Sequence, residues 1–251
     1  MSINTITPVI IAKDAEHTIK ACLKSLKSFT EVILYVNNCT DNTETIAKTF
    51  TNVKLIHGDF LGFGQTKNKA ASHATNSWVL SLDADEILGT EIIKNLQELK
   101  LNKNTVYSIL RTNYYKTTQI KHCWGNDILV RLYNKEETGF INQNVHEYII
   151  QENMKKVALQ GTVKHYPYST ISDFITKLDR YSTLFANDNV GKKKSSPSKA
   201  FFNGLFSFTK TYVFKQGFRD GYAGLIIAFS HMTTNFYKYI KLYEMNKELK
   251  S

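Results

Sequence analysis

The stretch Trp78-Val79-Leu80-Ser81-Leu82-Asp83-Ala84-Asp85-Glu86 constrains this chain more than any other. It opens as an apolar run, which reads as a buried central strand of a parallel sheet. It closes with three carboxylates in four residues. Ligands of open α/β sheets gather beyond the carboxyl ends of the strands. Carboxylates crowded at such a place repel one another unless a cation holds them. Hard divalent ions prefer oxygen ligands, and Mg²⁺ commonly takes one or two carboxylates plus substrate phosphates. The acids therefore read as a metal–diphosphate site. They also read as the acidic approach to a helix expected near Thr90, because acids are stabilised at helix N-termini. The tripeptide Asp-Ala-Asp alone does not separate the two readings.

Upstream of this stretch the chain alternates strand and helix patterns. Thr7–Ala12, Glu31–Asn37 and Val53–His57 read as strands. Ile19, Cys22, Leu23 and Leu26 fall at helical spacing, and 65–75 also reads as a helix. Thr40 is a candidate cap for the helix after the second strand, and Thr90 for the helix carrying Ile92, Ile93, Leu96 and Leu99. This alternation predicts an α/β fold with a mostly parallel sheet and right-handed crossovers. The pattern changes after residue 104, where Val106–Arg111, Ile128–Tyr133 and Val163–His165 read as strands and Ser172–Asn189 as a helix. The segment 192–198 has the composition of a linker.

The predicted organisation is a domain over 1–190, with a nucleotide-sugar half at 1–104 and an acceptor half at 105–190. A helical extension over 191–251 follows. Charge supports that boundary. Residues 192–251 hold eleven Lys/Arg against three Asp/Glu, so most of the net +10 sits there. They also hold 13 of the 31 aromatic residues, interleaved with the basic ones. That mixture suits helices lying in a membrane interface, with rings and lysine stems at headgroup level. It equally suits a helical pair packed on the domain or on a second subunit. A turn over 216–224 is expected to separate two helices. No run reaches the ~20 apolar residues of a membrane span, and Pro8–Ala12 is too short for a signal peptide. Cys22, Cys39 and Cys123 are scattered, match no metal-ligand spacing and fit a reducing cytoplasm.

Several motifs in order carry a resemblance. They are Val9–Glu16, Asn37–Thr43, Gly62–Ala70, Trp78–Glu86, Arg131-Leu132-Tyr133, Val145-His146-Glu147 and Phe218–Gly224. Together they make the chain resemble the family 2 glycosyltransferases of GT-A (Rossmann-like) fold. Within them it is most similar to the lipopolysaccharide-core glucosyltransferases of the WaaE and LgtF type. The resemblance implies an inverting transfer of a hexose, glucose by analogy, from a UDP-sugar to the heptose of a lipid A-core acceptor. It implies a Mg²⁺ or Mn²⁺ cofactor. The scattered cysteines and the basic, aromatic extension lead to the expectation of a cytoplasmic enzyme peripheral on the inner face of the cytoplasmic membrane.

The same resemblance assigns roles. Ala12, Asp14, Glu16, Asn37 and Asn38 at the first two strand ends would hold uracil and ribose, with Asp41 supporting the turn. Asp14 stands where the family usually has Asn, and Asn37 where it usually has Asp; Asn37 can still hydrogen-bond a uracil edge as a neutral partner. Lys67 would meet the diphosphate, with Gln65 and Asn68 near it. Asp83 and Ala84 would meet the sugar nucleotide. Asp85 would bind the metal, with Asp83 on the ribose or the ion and His165 completing the shell. Glu147 is the first choice of general base and Asp127 the second. Arg131 would bind acceptor phosphate or pair with the acids. Trp124 would stack on acceptor sugar or fill core. His146 reads as a packing residue.

Two other functions compete. A sugar nucleotidyltransferase shares an α/β layout and acid–Mg²⁺ chemistry, but usually needs a glycine-rich phosphate loop after the first strand. Here that place holds Lys13-Asp14-Ala15-Glu16. A non-catalytic nucleic-acid or membrane binder would use the basic aromatic extension, but leaves the order of the N-terminal motifs unexplained. No nucleic-acid partner is expected.

Overall fold

The computed structural model describes residues 2–142 and 147–249. The chain forms two compact units. The first comprises residues up to Thr112 together with Asn126–Tyr166. The second comprises Asn113–Gly125 and the chain from Pro167 onward.

The first unit is built on a sheet with helices. Its strands are β1 (Ile6–Ala12), β2 (Val32–Val36), β3 (Val53–His57), β4 (Trp78–Asp83), β5 (Glu86–Leu88), β8 (Asn126–Asn134), β6 (Thr105–Tyr115) through Thr112 and β9 (Lys155–Tyr168) through Tyr166. Its helices are α1 (Ile19–Ser25), α2 (Thr43–Ala47), α3 (Phe63–Ser72) and α4 (Thr90–Glu98). The order across the sheet is β3-β2-β1-β4-β8-β6-β9-β5. The first four strands are parallel, and β8 then joins β4 antiparallel through Leu80↔Leu132. This is the expected α/β layout. The chain leaves β1 toward β2 on one side and returns as β4 on the other. The β1–β4 seam is therefore the point where strand order reverses, which is where open sheets form their binding crevices. Register sets Ile11 of β1 opposite Asp83 of β4.

Burial explains why these strands are central. Every residue of β2 is buried, as are all residues of β4 but Asp83. Such continuous apolar runs need cover on both faces. Leu23, Leu26 and Phe29 cover one face together with Ile92 and Leu96, whereas Ala70 and Ala71 of α3 belong to a second cluster with Val79 and Tyr133. Each fully buried Leu or Phe contributes about 1.5–3 kcal/mol.

The structure moves several expected boundaries. Asn42, not Thr40, precedes α2, and Thr90 is the first residue of α4 with Gly89 before it. The Asn42 side chain accepts no backbone hydrogen bond, and Gly89 has no side chain to accept one. Helix α3 spans 63–72 rather than 65–75. The strand expected at 163–165 belongs to the much longer β9. Its apolar alternation is interrupted by Gly161, whose φ of +95° and close approach to the Ile92 nitrogen leave no room for a side chain.

The second unit holds β7 (Thr118–Ile120), paired with the end of β6, and helices α5 (Ile171–Asn189), α6 (Pro197–Thr209) and α7 (Gly221–Glu248). Thr170 and Asp173 form a reciprocal capping box on α5, and Ser196 caps α6 with Pro197 at its first position. A π turn at Lys210–Phe214 and a 3₁₀ turn at Gly217–Asp220 join α6 to α7. The expected break at 216–224 is shorter, because α7 already starts at Gly221. Gly224 lies so close to the Gly217 carbonyl that any side chain there would clash. A small core of Tyr115, Ile120, Cys123, Phe174, Ala223 and Ile227 holds the unit together. No helix among the described residues is long and apolar enough to cross a membrane.

Candidate active site

The three acids at the β4–β5 junction do not approach a helix N-terminus. Glu86 opens β5, and a turn through Ala84 and Asp85 links it to β4. The helix-terminus reading is thereby replaced, since α4 begins four residues after Glu86. Glu86 is fully buried, and its carboxylate accepts from Arg131 Nη2 at 2.6 Å, Arg111 Nη1 at 3.3 Å and the Asp83 backbone N–H at 3.0 Å. Burial pushes its pKa up, against the pull of Arg131.

Asp83 is held from both sides. Its Oδ1 accepts from Lys67 Nζ at 2.9 Å and its Oδ2 from Arg131 Nη2 at 2.7 Å. Burial alone would raise its pKa, but the Arg131 and Lys67 charges hold the carboxyl well below the usual carboxylate range. The Arg131 pKa is raised: the carboxylates of Asp83 and Glu86 overcome its desolvation. Of the two roles expected for Arg131, pairing with the acids is the one observed. Lys67 Nζ also reaches Glu147 Oε1 at 3.1 Å, so one ammonium joins the end of β4 to the segment entering the second half of the unit. Asp127, across the β6–β8 pair from Arg111, accepts from Arg111 Nη2 at 2.9 Å. Asp83, Lys67, Arg111, Arg131 and Glu147 line a cavity of about 300 Å³.

Asp85 differs from its neighbours. Its Oδ2 lies 3.5 Å from His165 Nε2. The antiparallel pairing of Glu86 with His165, and a Tyr166 N–H to Asp85 carbonyl bond of 2.9 Å, hold the two side by side. Two ligands at right angles on one ion, with bonds of about 2.1 Å, stand about 3 Å apart. The observed 3.5 Å is wider than that and is the spacing of an Asp–His ion pair; a small closure would let the oxygen and the imidazole nitrogen share a divalent cation. Asp83 fits that role less well, because both of its oxygens already have cationic partners.

The ends of β1 and β2 form a second acidic group. Asp14 accepts from the Thr40 N–H at 2.7 Å, Glu16 from the Asn42 N–H at 3.1 Å, and Asp41 from the N–H groups of Glu16 at 2.8 Å and Thr43 at 2.9 Å. These bonds clasp the two loops, and Asp41 supports the turn as expected. Burial opposes ionisation of Asp41, but the bonds from Thr43 and Glu16 hold its pKa down. Asp14 and Asn38 both adopt positive φ, +50° and +45°. Short polar side chains tolerate that region, and strained backbone concentrates at functional sites. The Asn37 amide donates to the Gly58 carbonyl at 3.2 Å, and Ala12 ends β1 beside them.

The first unit thus brings together the expected Lys67, Asp83, Ala84, Asp85, Glu147 and His165. Val145 and His146 lie outside the described residues. Trp124, in the second unit, stacks on Tyr168, and its indole N–H points to His231 Nε2 at 3.4 Å. Indole only donates. His231 Nδ1 therefore carries the proton and donates to Thr211 Oγ1 at 3.0 Å. Sequence reasoning missed Arg111 and the buried role of Glu86. The available signal was an arginine ending the otherwise apolar strand Val106–Arg111.

Comparison with known proteins bears on this arrangement. The profile described as Glycosyl transferase family 2 matches residues 7–159. An uncharacterized glycosyltransferase of Rickettsia typhi is 29% identical over 256 residues, covering 96% of this chain and 87% of that one. The lipopolysaccharide core biosynthesis glycosyltransferase LpsC of Rhizobium meliloti is 23% identical over 248 residues, covering 94% and 90%. Among solved structures, S. aureus TarS 1–349 in complex with UDP aligns with a TM-score of 0.46 at 14% identity, over 98% of this chain and 91% of that one. The family profile spans more than half of the sequence and includes both loop ends and the β4 acids: the chain is a transferase that belongs to glycosyl transferase family 2.

Proposed function

We propose that this enzyme moves a hexose, glucose by analogy, from a UDP-sugar to the heptose of a lipopolysaccharide inner core, with inversion at the anomeric carbon. The observation that carries the reading is the pairing of two different acids at the reversal point of the sheet. Asp85 stands beside His165, a donor pair for a cation, while Asp83 stands beside Lys67, in anion-binding company. A nucleoside diphosphate needs both kinds of partner. Similarity to LpsC supports the lipopolysaccharide acceptor.

In this reading Asp14, Glu16, Asn37 and Asn38 frame the uracil and ribose beside Ala12, and Asp83 and Ala84 meet the ribose and sugar. Asp85 and His165 would hold the divalent ion, which when bound would supply charge stabilisation for the departing diphosphate. An imidazole ligand favours a transition ion, so Mn²⁺ is expected to outperform Mg²⁺. Lys67 turns from Asp83 and Glu147 to the phosphates. Glu147, released, accepts the proton of the acceptor hydroxyl, whose oxygen bonds the anomeric carbon as the bond to the β-phosphate oxygen breaks and its electron pair leaves with UDP. Attack opposite the leaving group gives a β-linkage from an α-linked donor. Asp127 ranks second as base because Arg111 holds it. The second unit brings the enzyme to the membrane surface where a lipid-anchored acceptor resides.

The test is turnover. Full-length protein with UDP-glucose, Mn²⁺ and a heptose-terminated core acceptor should release UDP and form a β-linked product. Glu147→Gln should lower kcat by about 10²–10⁴, and Asp127→Asn by far less. No product with any UDP-sugar contradicts the reading.

A further inference from the structure

The outer face of α6 and the turn after it carry side chains that water-facing helices ordinarily avoid. Phe201, Phe202, Leu205 and Phe206 share one face of α6 by their spacing. The opposite face, at Gly204, lies against Met232 and Phe236 of α7. Val213 and Phe214 extend the exposed surface through the π turn, and Phe218 through the 3₁₀ turn. Phe202 is 66% exposed, Phe214 69% and Phe218 52%. Part of this surface is linked ring to ring: Phe201 packs on Phe202 with centroids 5.6 Å apart, and Phe229, Phe208, Tyr212 and Phe218 form a chain with centroid separations of 5.6, 5.3 and 6.4 Å. Contiguous exposed apolar surface of this kind marks an interaction site.

Charge identifies the partner. Residues 190–243 contain nine Lys/Arg and one acid, Asp220. That acid is buried, its two oxygens accepting from the backbone N–H groups of Lys121, His122 and Cys123. The surface formed by this stretch therefore presents phenylalanines and cations but no carboxylate. Lys210, Lys215 and Arg219 are exposed among the rings and, among the described residues, pair with no acid.

We propose that this face of the second unit docks on an anionic lipid bilayer, its rings at the acyl–headgroup boundary and its cations among the lipid phosphates. The proposal deepens the membrane part of the proposed function and rests on it. Leu205 and Val213 beside the rings suit hydrocarbon, whereas stacking of nucleic-acid bases makes no use of aliphatic side chains. A second copy of this chain on the same face would oppose like charges.

The experiment is co-sedimentation of the full chain with vesicles of mixed phosphatidylcholine and phosphatidylglycerol, and with phosphatidylcholine alone. The chain should bind the mixed vesicles, and the neutral ones far more weakly. Combining Phe202→Ser, Phe206→Ser and Phe214→Ser should weaken partitioning about a hundredfold or more. Lys210→Gln with Lys215→Gln should weaken it about 25-fold, roughly fivefold for each charge. These side chains are exposed, so circular dichroism should stay unchanged. Sugar transfer to a soluble, delipidated acceptor should also persist. Absence of binding, binding indifferent to both sets of changes, or binding to single-stranded RNA or to a second copy through this face in place of vesicles overturns the proposal. Any of these with transfer intact leaves the transferase reading standing, whereas vesicle binding without transfer to any acceptor removes that reading and keeps this one.

Discussion

Two acidic groups lie at neighbouring strand ends, and they are satisfied in opposite ways. Asp14, Glu16 and Asp41, at the ends of β1 and β2, are answered by backbone N–H groups. Asp83, Glu86, Asp127 and Glu147, around the end of β4, are answered by the side chains of Lys67, Arg111 and Arg131. Backbone donors are fixed by the loop they belong to, so the first group builds a scaffold. A lysine ammonium sits on a jointed stem, and it can exchange a protein carboxylate for a phosphate without unfolding anything. The second group is therefore where ligand can compete. Within it the partners also differ. Arg131 and Glu86 are buried and locked to each other, whereas Lys67, itself buried, bridges two partly exposed acids that open on the cavity and is the exchangeable member.

The contrast can be broken at several points. Arg131→Met should have the largest effect, because it removes the closest cationic partner of the fully buried Glu86 carboxylate and one of the two cations that hold Asp83. A loss of about 3–5 kcal/mol in denaturant unfolding is expected. A loss no larger than that of an exposed Lys→Met control would show that the β4 network is not structural. Asp41→Ala should cost about 1–3 kcal/mol, the penalty for leaving the N–H groups of Glu16 and Thr43 unpaired. It should also weaken UDP binding through loop disorder, and both effects are read in one calorimetric titration with a thermal melt.

Protonation sharpens the same comparison. The folded pKa of Asp83 lies below its unfolded value, so the unfolded chain binds more protons in that window. Its contribution is full above about pH 3.9 and is lost as pH falls through the depressed folded pKa. Asp83→Asn should flatten the acid limb of the stability profile, and an unaltered limb would contradict the pairing. His231 gives a smaller effect at milder pH. Burial lowers its pKa to about 4, so the folded second unit excludes the proton that the unfolded chain takes up near 6.5. Stability should fall as pH drops from about 6.5 toward 4, by at most about 3 kcal/mol, and His231→Asn should remove most of that dependence.

Much of this architecture is legible in the sequence. Continuous apolar runs identify β1, β2 and β4 because only a doubly covered strand tolerates them. The acids after Leu82 are legible because carboxylates seldom crowd without a reason. The membership of Asp85 and His165 in one site was implied by resemblance alone, since 80 residues separate them and only the β5–β9 pairing brings them together. Strands as short as β5 and β7 leave no periodic trace. Strand β9 hides its length behind the irregularity at Gly161. Arg111 and Glu86 were missed because a buried ion pair looks, in sequence, like two surface charges. The unpartnered face of α6 was legible only as composition, because exposure is a property of packing.

The central claim is that a cation between Asp85 and His165 and the ammonium of Lys67 together receive a nucleoside diphosphate. Titration calorimetry of UDP with and without Mn²⁺, on the native chain and on Asp85→Ala, His165→Ala and Lys67→Met, tests it most directly. The account predicts that Mn²⁺ tightens UDP binding to the native chain by about tenfold or more, that the first two variants lose this gain, and that the third weakens binding with or without metal. Manganese-independent UDP binding, equal in the native chain and all three variants, would contradict it.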